Sequence, residues 1–358
     1  MKSLFRNFIC ILMAICLTTS FTACSTSDET PKESSLSPAS SESPSGVTAA
    51  FEEVSFEEVS INVAYHPGLA SLCVPGIGEE QGIFKEEGLT VNWIQFTAGP
   101  PEIAAMVAGD LQFGYIGHGA HTLCAQGEAN VISLSHISNA EQIIARANSG
   151  IDSIEDLTGK KIVVQLGTSG ETILNLAMEK AGLTRDDVNV YAMDMPGAVS
   201  AFIAGQADAI ASWDTHTVNI RANVADELVV LAQTSDFTDT IAFPGSWVAT
   251  PEYLEENRDV AVRFARALNK IYDYRAGNMD ETVRLSAEFA SLDYDSIDAT
   301  RNSAVFYSGA DLRQMLSNGE ILAIYQSQLD NFIAAEKVEN GDVSHYVRTD
   351  IMEEALGY

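Results

Sequence analysis

KIVVQLGTSGETILNLAMEKA, residues 161–181, reads as one strand–turn–helix unit. Lys161–Gln165 is a short apolar run rich in β-branched residues, the composition of a strand. Gly167-Thr168-Ser169-Gly170 ends it, with glycine for backbone freedom and hydroxyl residues suited to a helix N-cap. Glu171–Ala181 is the helix that this turn opens.

The alternation extends in both directions. Downstream come Val188–Tyr191 (strand), Ala198–Ala204 (helix), Ala207–Ala211 (strand), Thr217–Ala225 (helix) and Leu228–Ala232 (strand). Upstream, Val59–Tyr65 is a strand, followed by a glycine-containing segment and Glu79–Glu87. Thr90–Phe96 (strand), Pro101–Ala108 (helix), Gln112–Ile116 (strand) and His121–Gln126 (helix) continue the pattern. Asn130–His136 and Gln142–Arg146 are further strands. This repetition implies right-handed βαβ units and mostly parallel sheets. Beyond Pro251 the chain turns largely helical, most clearly at Arg258–Arg275, Asp280–Phe289 and Glu320–Ala335. Two βα blocks before a helical tail predict two sheet domains. The chain is expected to cross between them at Ala147-Asn148-Ser149-Gly150 and to return at Phe243-Pro244-Gly245-Ser246.

Composition fits this plan. The chain has 358 residues, of which 46% are hydrophobic, enough for real cores. The stretch from Phe51 onward, roughly 300 residues, suits two domains better than one. Twenty Lys and Arg face 50 Asp and Glu, a formal charge of -30. That argues against nucleic acid, whose phosphates need clustered cations, and against adhesion to anionic lipid. It leaves an anionic small molecule open, because backbone N–H groups can hold an anion on an acidic protein.

The first fifty residues are of another kind. Lys2 and Arg6 precede an apolar run, Phe8–Leu17, then a small and polar stretch ending at Cys24. This is the order of a secretory signal peptide, too short to span a bilayer. Removing residues 1–23 would take the charge from -30 to -32. Residues 25–50 are mostly Ser, Thr, Pro, Glu and Ala, the composition of a flexible tether. Of five cysteines, only Cys73 and Cys124 fall in the remaining chain. They form either one disulfide after export or two small buried thiols, and their spacing resembles no zinc site.

Several loops carry candidate ligand contacts. The Gly167–Gly170 turn would cradle an anion on a helix N-terminus, with Thr168 and Ser169 adding hydroxyl donors, or else is a plain cap. It is not a phosphate-binding loop, since Gly159-Lys160 lacks the upstream glycine and the following Ser or Thr. His118, in Gly117-His118-Gly119-Ala120-His121, could donate to an oxyanion, or sit in a solvated turn. His118 and His121 have metal-ligand spacing but no third ligand, so no metal is expected. His66 ends the first strand and Gly99 the second, where doubly wound sheets bind ligands. Trp213 offers a flat wall, and Asp214 an acceptor for a ligand amine, unless they are a core ring and a cap. Met195-Pro196-Gly197 and Ser246-Trp247 are weaker candidates. No arginine falls in these loops, which leaves hydroxyls, histidines and backbone N–H groups as the anion contacts.

GIFKEEGLTV (Gly82–Val91) and GPPEIAAMVAGDLQFGYIGHG (Gly99–Gly119) resemble the substrate-binding proteins of ABC importers in the sulfonate, taurine and nitrate group. That group includes binders of the thiamine pyrimidine precursor. SGIDSIEDLTGKKIVVQLGTSGE (Ser149–Glu171) and MPGAVSAFIAGQADAIASWD (Met195–Asp214) resemble the same family in the same order. The resemblance implies a type II periplasmic-binding-protein fold: two α/β lobes with mostly parallel sheets and a ligand cleft between them. Lobe I would be 56–146 with 245–358, and lobe II 147–244. The Gly117–His121 loop would line the cleft. The resemblance also implies a monomer without cofactor or catalysis, working with a membrane permease and a cytoplasmic ATPase. Phe21-Thr22-Ala23-Cys24 resembles a bacterial lipobox, which implies lipidation at Cys24, a 24–55 tether and a place on the outer face of the cell membrane. The implied ligand is an aliphatic sulfonate or a taurine-like molecule, with the pyrimidine precursor or a nitrate-like anion as the alternative. An exported enzyme is the reading from another class, but no Gly-x-Ser-x-Gly elbow and no reactive Lys and Cys/His cluster is seen.

Overall fold

The computed structural model describes residues 56–357. The leader, the Cys24 anchor and the tether expected from the sequence lie outside the described residues.

The strands in chain order are β1 (Val59–Tyr65), β2 (Leu89–Gln95), β3 (Gly114–Ile116) and β4 (Asn130–Ser138). Then come β5 (Gln142–Arg146), β6 (Lys161–Val164), β7 (Asn189–Ala192), β8 (Ala209–Ser212) and β9 (Leu228–Gln233). β10 (Pro244–Ala249) and β11 (Ala304–Phe306) close the series. One sheet runs β11-β4-β10-β3 and continues through the parallel Val63↔Phe113 bridge to β1 and β2. The other runs β7-β6-β8-β5-β9.

Both sheets are mixed, and the cause is the way the chain crosses. β1 with β2, and β6 with β7 and β8, are parallel, as βαβ units require. β4, β5, β9 and β10 carry the chain between the sheets and pair antiparallel with their neighbours.

The first crossing is not at Ala147–Gly150. β5 already pairs with β8 and β9, so Gln142–Arg146 belongs to the second lobe. The hydrogen bonds change sides between Ser138 and Gln142. Asn139 N donates to the Ser303 carbonyl (2.7 Å), while Glu141 N donates to Thr234 Oγ1 (3.1 Å). Ala147–Ser149 is instead a short helical turn inside the second lobe, ended by Gly150 at φ 69°.

The segment Leu69–Glu80, which the sequence left as glycine-containing chain, is a helix. Pro75, Gly76 and Gly78 are poor helix formers. Nine of its twelve residues are buried, mostly apolar, so packing decides against propensity. Burying one such leucine is worth about 1.5–3 kcal/mol.

The first lobe has a large aromatic core. Phe113 stacks on Phe264 at 4.3 Å and 8°, and Trp247 meets Phe264 edge-on. The second lobe buries both faces of its sheet. Neighbouring residues split between them: Ile143 and Val164 on one face, Ile144 and Val163 on the other. That is why its strands read as continuous apolar runs. Cys73 and Cys124 are separate buried thiols.

Candidate functional site

A cleft lies between the lobes, its empty space of about 850 Å³ continuous with the open solvent at its mouth. The carboxyl ends of parallel strands build it: His66 after β1, Gly99 after β2, His118 after β3, Thr168 and Ser169 after β6, Trp213 and Asp214 after β8. All seven residues singled out from the sequence line this cleft. The weaker candidates do not: Met195 is packed in the second lobe's core and Trp247 in the first's.

Each side chain has a local reason for its place. His66 Nε2 lies 2.9 Å from Glu102 Oε2, a carboxyl fully buried in the Gly99–Val107 helix. Burial raises the Glu102 pKa, and the contact with His66 opposes that rise. His118 lies between Phe243 and Phe332, 4.7 and 5.1 Å away. Gln328 Nε2 reaches its Nδ1 at 2.8 Å and the His118 carbonyl at 3.3 Å. A carbonyl only accepts, so the amide nitrogen faces the ring, Nδ1 accepts and Nε2 carries the proton. Burial, then neighbouring His121 and Lys337, puts the His118 pKa well below its ordinary value. The Ala242 carbonyl lies near the ring, but Nε2 makes no hydrogen bond of ordinary geometry. His118 is thus a neutral donor whose proton is engaged only weakly, by the Ala242 carbonyl.

His121 serves the core instead. Its Nδ1 meets the His118 carbonyl at 3.1 Å and its Nε2 meets Ser246 Oγ at 2.8 Å. Burial lowers its pKa to about 4. Among the described residues no cluster of His, Cys, Asp and Glu could hold a metal ion.

The second lobe's wall is differently committed. Thr168 Oγ1 donates to the Gln165 carbonyl at 2.7 Å, so the hydroxyl expected to donate to an anion is turned back on its own loop. Gly167 N donates to Glu171 Oε2 at 2.9 Å, closing the turn from below. Asp214 accepts from the hydroxyls of Thr217 and Ser303. Ser303 lies just before β11, so Asp214 ties the lobes together. Thr215 Oγ1 adds a second tie, to the Pro67 carbonyl at 3.1 Å. Lys337 Nζ meets Glu171 Oε2 at 2.8 Å as a third. Gly119 is glycine because a Cβ there would overlap the Thr168 backbone across the cleft.

The sequence reading missed several lining groups. Glu141 is buried where the lobes cross and accepts from Thr234 Oγ1 (2.8 Å) and Ser138 Oγ (3.0 Å). Burial raises its pKa, and those hydrogen bonds oppose the rise. His136, Tyr115, His216, Phe243 and Phe306 complete the walls. Burial, then His66, lowers the His216 pKa to about 4. Glu141 had a visible signal, a lone carboxyl in a short polar break between two apolar strands. His136, Tyr115 and Phe306 lie inside strands and had none, whereas His216 opens the helix two residues past Asp214 and Phe243 sits in the return turn, both beside segments already singled out. No Lys or Arg is among the lining residues described.

Two α/β lobes joined by crossing strands, with a cleft at the strand ends, define a periplasmic-binding-protein fold. The periplasmic aliphatic sulphonate binding protein of Escherichia coli shares it, at a TM-score of 0.60 and 20% identity over 80% of this chain and 91% of that one. The chain belongs to the NMT1/THI5-like family, whose model matches residues 77–282. It is 31% identical to a Brucella abortus protein whose name says only that it binds, over 79% of this chain and 88% of that one. It is 29% identical, over 61% of this chain and 66% of the relative, to a Bacillus subtilis protein whose name assigns it to aliphatic sulfonates.

Proposed function

We propose that this chain is an extracytoplasmic solute-binding protein that captures a small organic ligand for an ABC importer and performs no chemistry on it. A lipid on Cys24 would hold it on the outer face of the cell membrane, and the tether would keep it near a permease at high local concentration. It would act as a monomer, with a cytoplasmic ATPase driving transport through the permease.

One observation carries the ligand class. The lining residues described include Glu141 and Asp214 but no Lys or Arg. A bare anion would meet carboxyls and find no cation. A ligand that brings its own amine fits better: the anionic end on helix N-termini and imidazole donors, the amine toward Asp214 and Glu141. A taurine-like aminosulfonate has that pattern. The aromatic walls, Tyr115, Trp213, Phe243 and Phe306, favour a second reading. A flat amino-substituted pyrimidine would stack on them and donate to the same carboxyls.

Calorimetric titration with taurine, ethanesulfonate and an aminopyrimidine separates these. Tight binding of taurine or the aminopyrimidine over ethanesulfonate, with the ligand recovered unchanged, is the expected result. Preference for ethanesulfonate would remove the amine-bearing class, and turnover would make the protein an enzyme.

A further inference from the structure

Two of the buried polar atoms without a hydrogen-bond partner belong to imidazoles lining the cleft, His118 Nε2 and His136 Nδ1. A buried polar group left unpaired is costly, so one on a residue that lines a binding cleft points to what completes it. His118 was legible in the sequence. His136 was not.

His136 lies on β4, 4% exposed. Tyr115 stacks on it at 6.0 Å and 14°, and Phe306 closes its other neighbourhood at 6.0 Å and 50°. Its Nε2 is 3.4 Å from the Tyr115 hydroxyl. A phenol is the better donor of this pair and an imidazole nitrogen the better acceptor. Tyr115 therefore donates, Nε2 accepts and the ring proton sits on Nδ1. Burial, then the charge of Arg275, lowers the pKa to about 3, so the imidazole is neutral. Gly245, which also lines the cleft, leaves room beside the ring, where a Cβ would overlap it.

We propose that His136 is a ligand-contacting residue of the cleft, its Nδ1–H a neutral donor to an acceptor atom of the captured molecule, with Tyr115 as the positioning residue that sets the tautomer. This rests on the solute-binding reading above. A neutral donor suits a weakly basic acceptor such as a sulfonate oxygen or a ring nitrogen, and binding it moves no proton.

The test uses the purified full chain labelled with 15N-histidine. The His136 resonance is the one lost in His136→Phe. At pH 7 without ligand, Nδ1 should be protonated and Nε2 bare, and Tyr115→Phe should shift part of the proton to Nε2. A proton on Nε2 in the wild type would overturn the donor. Calorimetry with taurine and the aminopyrimidine tests the contact. His136→Phe, which keeps a ring in place, should lower affinity at least tenfold. His136→Asn, whose amide nitrogen can replace Nδ1–H, should lose less. Wild-type affinity in both variants would sink the contact and leave the function standing. Failure of the wild type to bind either probe would sink the ligand reading, and the contact with it.

Discussion

The two walls of the cleft are built from different chemistry. The first lobe presents imidazoles and rings, and two of its imidazole nitrogens have no partner. The second lobe presents hydroxyls and a carboxylate that are already engaged, Thr168 with Gln165 and Asp214 with Thr217 and Ser303. Several of its contacts reach the first lobe. From this difference we propose a division of labour: the first lobe supplies the free donors to the ligand, and the second closes over it and offers Asp214 to its amine.

The largest expected effect concerns what the division stands on. Phe264→Ala should cost about 3–5 kcal/mol of stability by opening the aromatic core of the first lobe. Phe202→Ala should cost a similar amount in the second. Chemical denaturation checks both, and separate transitions would show that the lobes unfold independently.

Next is the ligand contact. His118→Phe removes the weakly engaged donor while keeping a ring between Phe243 and Phe332. It should weaken binding by about 1–3 kcal/mol, the cost of an unpaired buried acceptor on the ligand. The opposite wall should respond less. Thr168→Val with Ser169→Ala removes two hydroxyls already engaged, one with its own loop and one with Glu141, and should cost affinity only about 0.5–1.5 kcal/mol. A larger loss there than in His118→Phe would reverse the assignment of the walls.

Closure can be tested on the protein without ligand. Ser303→Ala removes a hydroxyl that bridges to Asp214 and should shift the lobes toward an open form, visible in small-angle scattering as a larger radius of gyration. An unchanged profile would show that the bridge does not hold the lobes.

The smallest effect depends on pH. Burial raises the Glu171 pKa, but Lys337, the Gly167 N–H and Arg185 outweigh it, and the net position is below the ordinary carboxylate value. Stability from a depressed carboxyl is present above its unfolded pKa and is lost as pH falls through the folded one. The closed form should therefore weaken on acidification below about pH 4.5, the ordinary carboxylate value. The pair is partly exposed, so the effect should be about 0.2–1 kcal/mol. Lys337→Met should reduce that pH dependence.

What was legible in the sequence was local. The turn at Gly167–Gly170, the strand-end histidines and the Trp213-Asp214 step are short patterns whose place follows from strand direction alone. The helix Leu69–Glu80 was not legible, because its proline and glycines argue locally against what burial enforces. The crossing was misplaced for a related reason. Ala147–Gly150 carries every turn signal, whereas Asn139–Glu141 is a three-residue step whose role depends on which strands pair beyond it. His136 and Gln328 were invisible because one sits inside an apolar strand and the other on a helix 210 residues away from the histidine it orients.

The division between a holding lobe and a closing lobe meets its most direct test in calorimetric titration of His118→Phe beside wild type, with the ligand the wild type binds best. The expected result is an affinity about five- to 150-fold weaker, the same 1–3 kcal/mol, with stability retained. Equal affinity in a folded His118→Phe protein would contradict it.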